Sequence, residues 1–287
     1  MDYGQIITAM VTPFDENNQI NYSKVTELMT YLINNGSDAI IVSGTTGESP
    51  TLSYQEKIDL FKHAVKVADG KYPIIAGTGS NNTLESIQLS KEAEAIGVDG
   101  LLLVTPYYNK PNQAGLYQHY AAIAEATTLP IILYNIPGRT MVNIEIETII
   151  SLSKIDNIVS LKDSSGNLDA LSKIIDKTGD DFAIYSGDDS LTLPIKAIGG
   201  TGVVSVSSHI VGKELKEMLE KFDAGDVKEA ASIHRQLLPI MRGLFMAPSP
   251  APVKAALNIK GIDVGNVRLP LVKLNEVEEQ LIRDLLR

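Results

Sequence analysis

The chain has 287 residues, enough for one large domain or two small ones, and its 44% hydrophobic and 21% charged residues fit a soluble globular protein and not a disordered or membrane chain. A formal charge of −10 with no Lys/Arg-rich run disfavours nucleic acid and anionic membrane surfaces as partners. With no cysteine, disulfides, thiolate nucleophiles and thiolate metal sites are closed.

Strand-like runs recur along the chain, each followed by a helical pattern. They are QIITAMVT (5–12), AIIVSGT (39–45), PIIAGTG (73–79), GLLLVTP (100–106), PIILYN (130–135), IVSLKD (158–163), FAIYSG (182–187) and GVVSVSS (202–208). Apolar strands alternating with helices predict a parallel sheet buried on both faces, and eight units suggest closure into a (β/α)8 TIM barrel. An open doubly wound sheet is the alternative, and the lack of G-x-G-x-x-G after the first strand weighs against it. Between strands, Val25, Leu28, Met29, Leu32 and Ile33 make a helical stripe, as Ile58, Phe61, Val65 and Ala68 do in the next segment. Ser53 and Glu56 predict a capping box, and Gly36, Gly70, Gly97 and Gly179 stand where left-handed helix ends are expected. The barrel is assigned to residues 1–225, and 226–287 to a C-terminal helical extension broken by Pro248, Pro250 and Pro252. The start, MDYGQIITAM, has no basic segment leading into an apolar one, and no apolar run reaches the roughly 18 residues of a membrane span. A cytoplasmic location is expected.

In such a barrel the chemistry sits at the C-terminal strand ends. There Lys162 closes the run Ile158-Val159-Ser160-Leu161, where a lysine should lose hydration and some proton affinity, making an amine nucleophile. The plainer alternative is a lysine paired with Asp163 or Asp188. Tyr134 ends the adjacent strand and offers a phenol for the proton transfers of Schiff-base formation. Thr45 and Thr46, in a Gly-flanked turn, offer hydroxyls and N–H groups to a carboxylate, and Arg139 offers a bidentate fork or a surface ion pair. Metal catalysis fits poorly: His63, His119 and His234 fall in helical segments, and only His209 lies near a strand end. Gly199-Gly200-Thr201-Gly202 precedes the eighth strand and reads as a turn on the opposite face.

The segments GTTGESPTL (44–52), IAGTGSNNT (75–83), VTPYYNKP (104–111), LYNIPGRT (133–140), Lys162 and YSGDD (185–189) resemble the 4-hydroxy-tetrahydrodipicolinate synthase family, in the N-acetylneuraminate lyase superfamily of pyruvate aldolases. The likeness runs nearly end to end. It implies that Lys162 forms an imine with pyruvate, that Thr45, Tyr108 and Tyr134 relay protons, and that Thr46 holds the pyruvate carboxylate. It further implies that Arg139 binds the carboxylate of L-aspartate 4-semialdehyde and that Gly187 and Val204 line the substrate site. Tyr108 would serve the neighbouring subunit, so a homodimer or homotetramer is implied, and no metal or organic cofactor. In lysine-regulated members an effector cleft at the dimer interface corresponds to Ser49, Pro50, Tyr54, Lys57, Asn81, Glu85 and Tyr107. Those members usually carry a histidine or aromatic residue where this chain has Lys57, which implies weak or absent inhibition. Two departures touch the choice of aldehyde: Asp163-Ser164-Ser165-Gly166 where Glu-Ala-Ser/Thr-Gly is common, and Ser249 where many members have Asn. The other readings are a 2-keto-3-deoxy-acid or N-acetylneuraminate-type aldolase, and a non-catalytic pyruvate-binding regulatory homologue.

Overall fold

The computed structural model describes residues 3–287. Eight parallel strands close in sequence order into a barrel. They are β1 (Ile6–Ala9), β2 (Ala39–Val42), β3 (Ile74–Gly77), β4 (Gly100–Val104), β5 (Ile131–Asn135), β6 (Ile158–Asp163), β7 (Ala183–Ser186) and β8 (Gly202–Ser205). Each of the eight sequence runs contains one of them.

Because strand side chains alternate, the sheet sorts its apolar residues into two layers. Ile7, Ile41, Ile75, Leu102, Ile132, Tyr134, Tyr185 and Val204 fill the barrel interior. Their neighbours Ile6, Ile40, Ile74, Leu101, Leu133, Leu161 and Val203 pack outward with the helices, together with Leu28, Met29 and Phe61 from the predicted stripes. At the N-terminal end of the barrel, the Tyr185 hydroxyl donates to the Gly4 carbonyl at 2.8 Å and that of Tyr3 to the Asp99 carbonyl at 3.0 Å. The opposite mouth carries the long loops.

One ladder is irregular. Ile131 pairs with Ile158 but Ile132 pairs with Ser160, so Val159 has no opposite residue and the register shifts by one before Tyr134 meets Lys162.

Local chemistry explains most boundaries. The Ser53–Glu56 capping box opens helix Tyr54–Ala68, with both reciprocal hydrogen bonds formed. Gly97 is the left-handed cap of helix Thr83–Ile96. Gly179 departs from expectation: helix Leu168–Lys177 ends on an extended Thr178, and Gly179 is not left-handed. β8 is also shorter than its apolar run. The Asp189 carboxylate accepts the N–H groups of Val206 and Ser207 at 3.1 and 3.0 Å, which turns the chain into helix Ser208–Asp223. Residues 226–287 contain helices Val227–Gly243, Ala251–Ile259 and Glu276–Leu285 and no strand. Asp226 caps the first through the Glu229 N–H, while Pro250 and Pro252 stand at the start of the second. Among the described residues no helix is long and apolar enough to cross a membrane.

Candidate active site

A cavity of about 610 Å³ opens at the C-terminal mouth, between the ends of β2 to β5 and the loops that follow them. Thr45, Tyr134 and Arg139 line it. Lys162 is 5% exposed, beside Tyr134 in the β5–β6 register, with its Nζ 3.9 Å from the centre of the Tyr134 ring. Among the described residues no carboxylate forms an ion pair with it. Asp163 points the other way, accepting from Asn135 Nδ2 at 2.8 Å and from the Ser165 N–H and hydroxyl. The lysine therefore faces the barrel axis and its neighbour the helices.

Gly187 adjoins Lys162. A Cβ there would lie 2.0 Å from Ser164 Oγ and 3.0 Å from Lys162 Cε, and the Gly187 N–H donates to the Asp163 carbonyl at 2.7 Å. A side chain there would displace the Ser164 hydroxyl and crowd the lysine's own stem. Val204 is a buried wall of the barrel interior. Thr46 is also buried, behind the cavity lining to which Thr45 contributes.

Arg139 lies in the short helical turn Pro137–Thr140, and no carboxylate among the described residues ion-pairs with it. Asn135 braces that loop: its amide donates to Asn143 Oδ1 at 2.9 Å and to Asp163, while its oxygen accepts the Ile144 N–H at 3.1 Å. These bracing roles of Asn135 and Asp163 went unread in the sequence, where Asp163 showed as a possible partner of Lys162 and Asn135 only as the residue after Tyr134.

Tyr108 stands apart. It is 89% exposed, outside the cavity lining, at the centre of a tight turn in which the Asn109 N–H reaches the Tyr107 carbonyl at 2.9 Å. Its φ of +73° is uncommon for a non-glycine residue, so the turn aims this side chain outward against a backbone cost.

Ser49, Pro50, Tyr54, Lys57, Glu85 and Tyr107 line the far side of the same cavity. Asn81 does not, and its amide donates to the Tyr107 carbonyl at 3.1 Å. Burial lowers the proton affinity of Lys57, with the Glu85 carboxylate opposing the fall. Burial, then Glu85, holds the Tyr107 phenol above its ordinary range.

The histidine at the strand end is a structural one. His209 is fully buried, its Nε2 accepting the Val11 N–H at 3.2 Å and its Nδ1 lying 2.8 Å from the Val206 carbonyl; burial pushes it down to about 4. Among the described residues no group of three His, Asp or Glu side chains is arranged to hold a metal ion.

The model of the dihydrodipicolinate synthetase family matches residues 2–287. The chain belongs to that family. A 4-hydroxy-tetrahydrodipicolinate synthase of Halalkalibacterium halodurans is 59% identical over 98% of this chain and 95% of its own length. A crystal structure of a dihydrodipicolinate synthase from Bacillus anthracis superposes with a TM-score of 0.99 at 55% identity, covering 100% of this chain and 98% of that one. Another, from Cyanidioschyzon merolae with lysine bound, gives 0.97 at 47% identity over 99% and 97%. Membership in the dihydrodipicolinate synthetase family makes the chain an enzyme, a lyase carried on a (β/α)8 barrel.

Proposed function

We propose that the chain is a 4-hydroxy-tetrahydrodipicolinate synthase that condenses pyruvate with L-aspartate 4-semialdehyde through an imine on Lys162. The observation that carries this is a buried lysine at a strand end, against a tyrosine ring and free of any carboxylate ion pair among the described residues. A lysine so placed is not locked into a salt bridge, and a phenol adjoins it to move protons.

In the sequence of steps, the neutral Lys162 amine attacks the pyruvate ketone. Tyr134 carries protons as the carbinolamine loses water to give the imine, and loss of a methyl proton gives the enamine. The enamine carbon then bonds to the aldehyde carbon of the semialdehyde. Attack by the semialdehyde's own amine on the imine carbon closes the six-membered ring and releases Lys162. Thr46 and the turn around it hold the pyruvate carboxylate, Thr45 joins Tyr134 in the proton relay, and Arg139 takes the second carboxylate as a bidentate partner. Gly187 and Val204 shape the walls around the lysine.

Tyr108 completes the relay of a neighbouring subunit, which makes a homodimer, alone or paired into a tetramer, the working unit of a cytoplasmic enzyme. Free lysine binds the outer cleft weakly, because Lys57 places a cation there.

A coupled assay of pyruvate with L-aspartate 4-semialdehyde tests reaction and substrate together. Turnover of that pair is expected. Turnover of pyruvate only with 2-keto-3-deoxy-acid or sialic acid precursors would replace the aldehyde, and turnover of no aldehyde would leave a binding protein.

A further inference from the structure

Glu48 ends the turn that carries Thr45 and Thr46, and no step above uses it. Its backbone is left-handed at φ +58°, its N–H donates to the Thr45 carbonyl at 3.1 Å, and its own carbonyl accepts the Thr51 N–H at 2.9 Å. On the other side of the turn the Thr12 hydroxyl donates to the Gly47 carbonyl at 2.6 Å. The Glu48 carboxylate is almost completely buried and meets helix Ala251–Ile259 and the segment that follows it. Lys254 Nζ, equally buried, lies 2.7 Å from Oε1, and the Arg268 N–H donates to Oε2 at 2.8 Å.

Both partners are themselves held. Lys254 donates to the Asn266 carbonyl at 2.8 Å and sits 4.1 Å over the Phe14 ring. The Arg268 guanidinium covers the same ring at 4.2 Å, grips Glu56 at 2.6 and 3.1 Å, and donates to the carbonyls of Asn18 and Thr51. Burial draws the Lys254 ammonium down to about 8, with Glu48 opposing the fall. A charge pair removed from water is seldom a better stabiliser than an apolar pair of the same volume, so stability alone does not explain it here. What it supplies is direction: one end of the Thr45–Thr46 turn is pinned to a fixed point on another part of the chain.

We propose that Glu48 and Lys254 are positioning residues, through which the C-terminal helices set the Thr45–Thr46 turn to receive the carboxylate of pyruvate. This rests on the pyruvate role of that turn given under the proposed function.

The experiment compares Glu48→Gln, Lys254→Met and the double variant for melting temperature, pyruvate KM and kcat. Each single variant leaves one buried charge unpaired and should lose stability. The double variant removes both charges and should regain most of the melting temperature, yet keep a pyruvate KM at least about tenfold above the parent with kcat changed much less, about 1.4 kcal/mol of lost binding. A double variant with parental stability and parental pyruvate KM overturns the proposal. If the double variant does not fold, Lys254→Arg decides: it keeps the charge but alters its reach, so a raised pyruvate KM at parental stability supports the proposal and an unchanged KM overturns it. Thr46→Val separates the two ideas. An unchanged pyruvate KM in that variant removes the turn's carboxylate role, whereas a raised one, beside a double variant of parental KM, removes only the positioning.

Discussion

Lys162 and Tyr134 are register partners on adjacent strands, and Nζ of the first stands 3.9 Å from the ring centre of the second. A lysine over a phenol ring gains some attraction without being locked into a salt bridge. An amine held this way is free to leave the ring and attack a carbonyl. Borohydride added with pyruvate should therefore inactivate the enzyme irreversibly and add one reduced pyruvate per chain. Peptide mapping should place the label on Lys162, and a label on another lysine would remove the mechanism.

Gly187→Ala should slow imine formation by about tenfold, about 1.4 kcal/mol of barrier, while leaving the chain folded. The added Cβ would meet Ser164 Oγ at 2.0 Å and the lysine stem at 3.0 Å. Adding Ser164→Ala removes the closer obstacle and should restore part of the rate. Pre-steady-state imine kinetics are the measure, and a fully active Gly187→Ala enzyme would show that the strand ends have slack.

Arg139→Ala should raise the KM for L-aspartate 4-semialdehyde with little effect on pyruvate trapping. Losing a charge-assisted contact costs about 1.5–3 kcal/mol, or roughly ten- to a hundredfold. The lack of a carboxylate ion pair on Arg139 among the described residues leaves its fork available for substrate. Normal semialdehyde kinetics in this variant would assign Arg139 to the surface.

Tyr108 should act in trans. Its exposure and outward turn place it outside its own cavity. Mixing Tyr108→Phe with Lys162→Ala protomers, once subunit exchange is verified by mass, should recover activity that neither variant has alone. Exchange without recovery would put Tyr108 outside catalysis.

Free lysine should inhibit weakly. Lys57 and Glu85 line the same wall, and no ion pair joins them among the described residues. A second cation at about 4 Å from Lys57 meets a repulsion of order 1–4 kcal/mol for effective dielectrics of 80 to 20, and each 1.4 kcal/mol is a tenfold loss of affinity. Lys57→His should strengthen inhibition. Sub-millimolar inhibition of the unmodified enzyme at neutral pH would overturn this reading.

The strands were legible because each is an apolar run bounded by turn residues, and the strand ends follow from their order alone. What was not legible is long-range. Arg268 lies 220 residues from Glu48, and neither residue has a local pattern that announces the other. The end of β8 failed for a related reason: Val206 belongs to an apolar run, but a carboxylate from the β7 loop claims its N–H. Gly179 misled because glycine permits a left-handed helix end without requiring one. Lys162 was readable only as a residue type at a place, and its freedom from Asp163 depends on which face of β6 it occupies.

That face is decided by Val159. Ile158 and Leu161 both point toward the helices, an odd step that a regular strand forbids, and the unpaired Val159 absorbs it. Were the ladder even, Leu161 would pair with Tyr134, Lys162 with Asn135, and the amine would be turned toward the surrounding helices. One residue of apparent surplus in a strand thus selects which functional group the interior receives, and a change of chain length there would rewrite the chemistry without altering any residue that performs it.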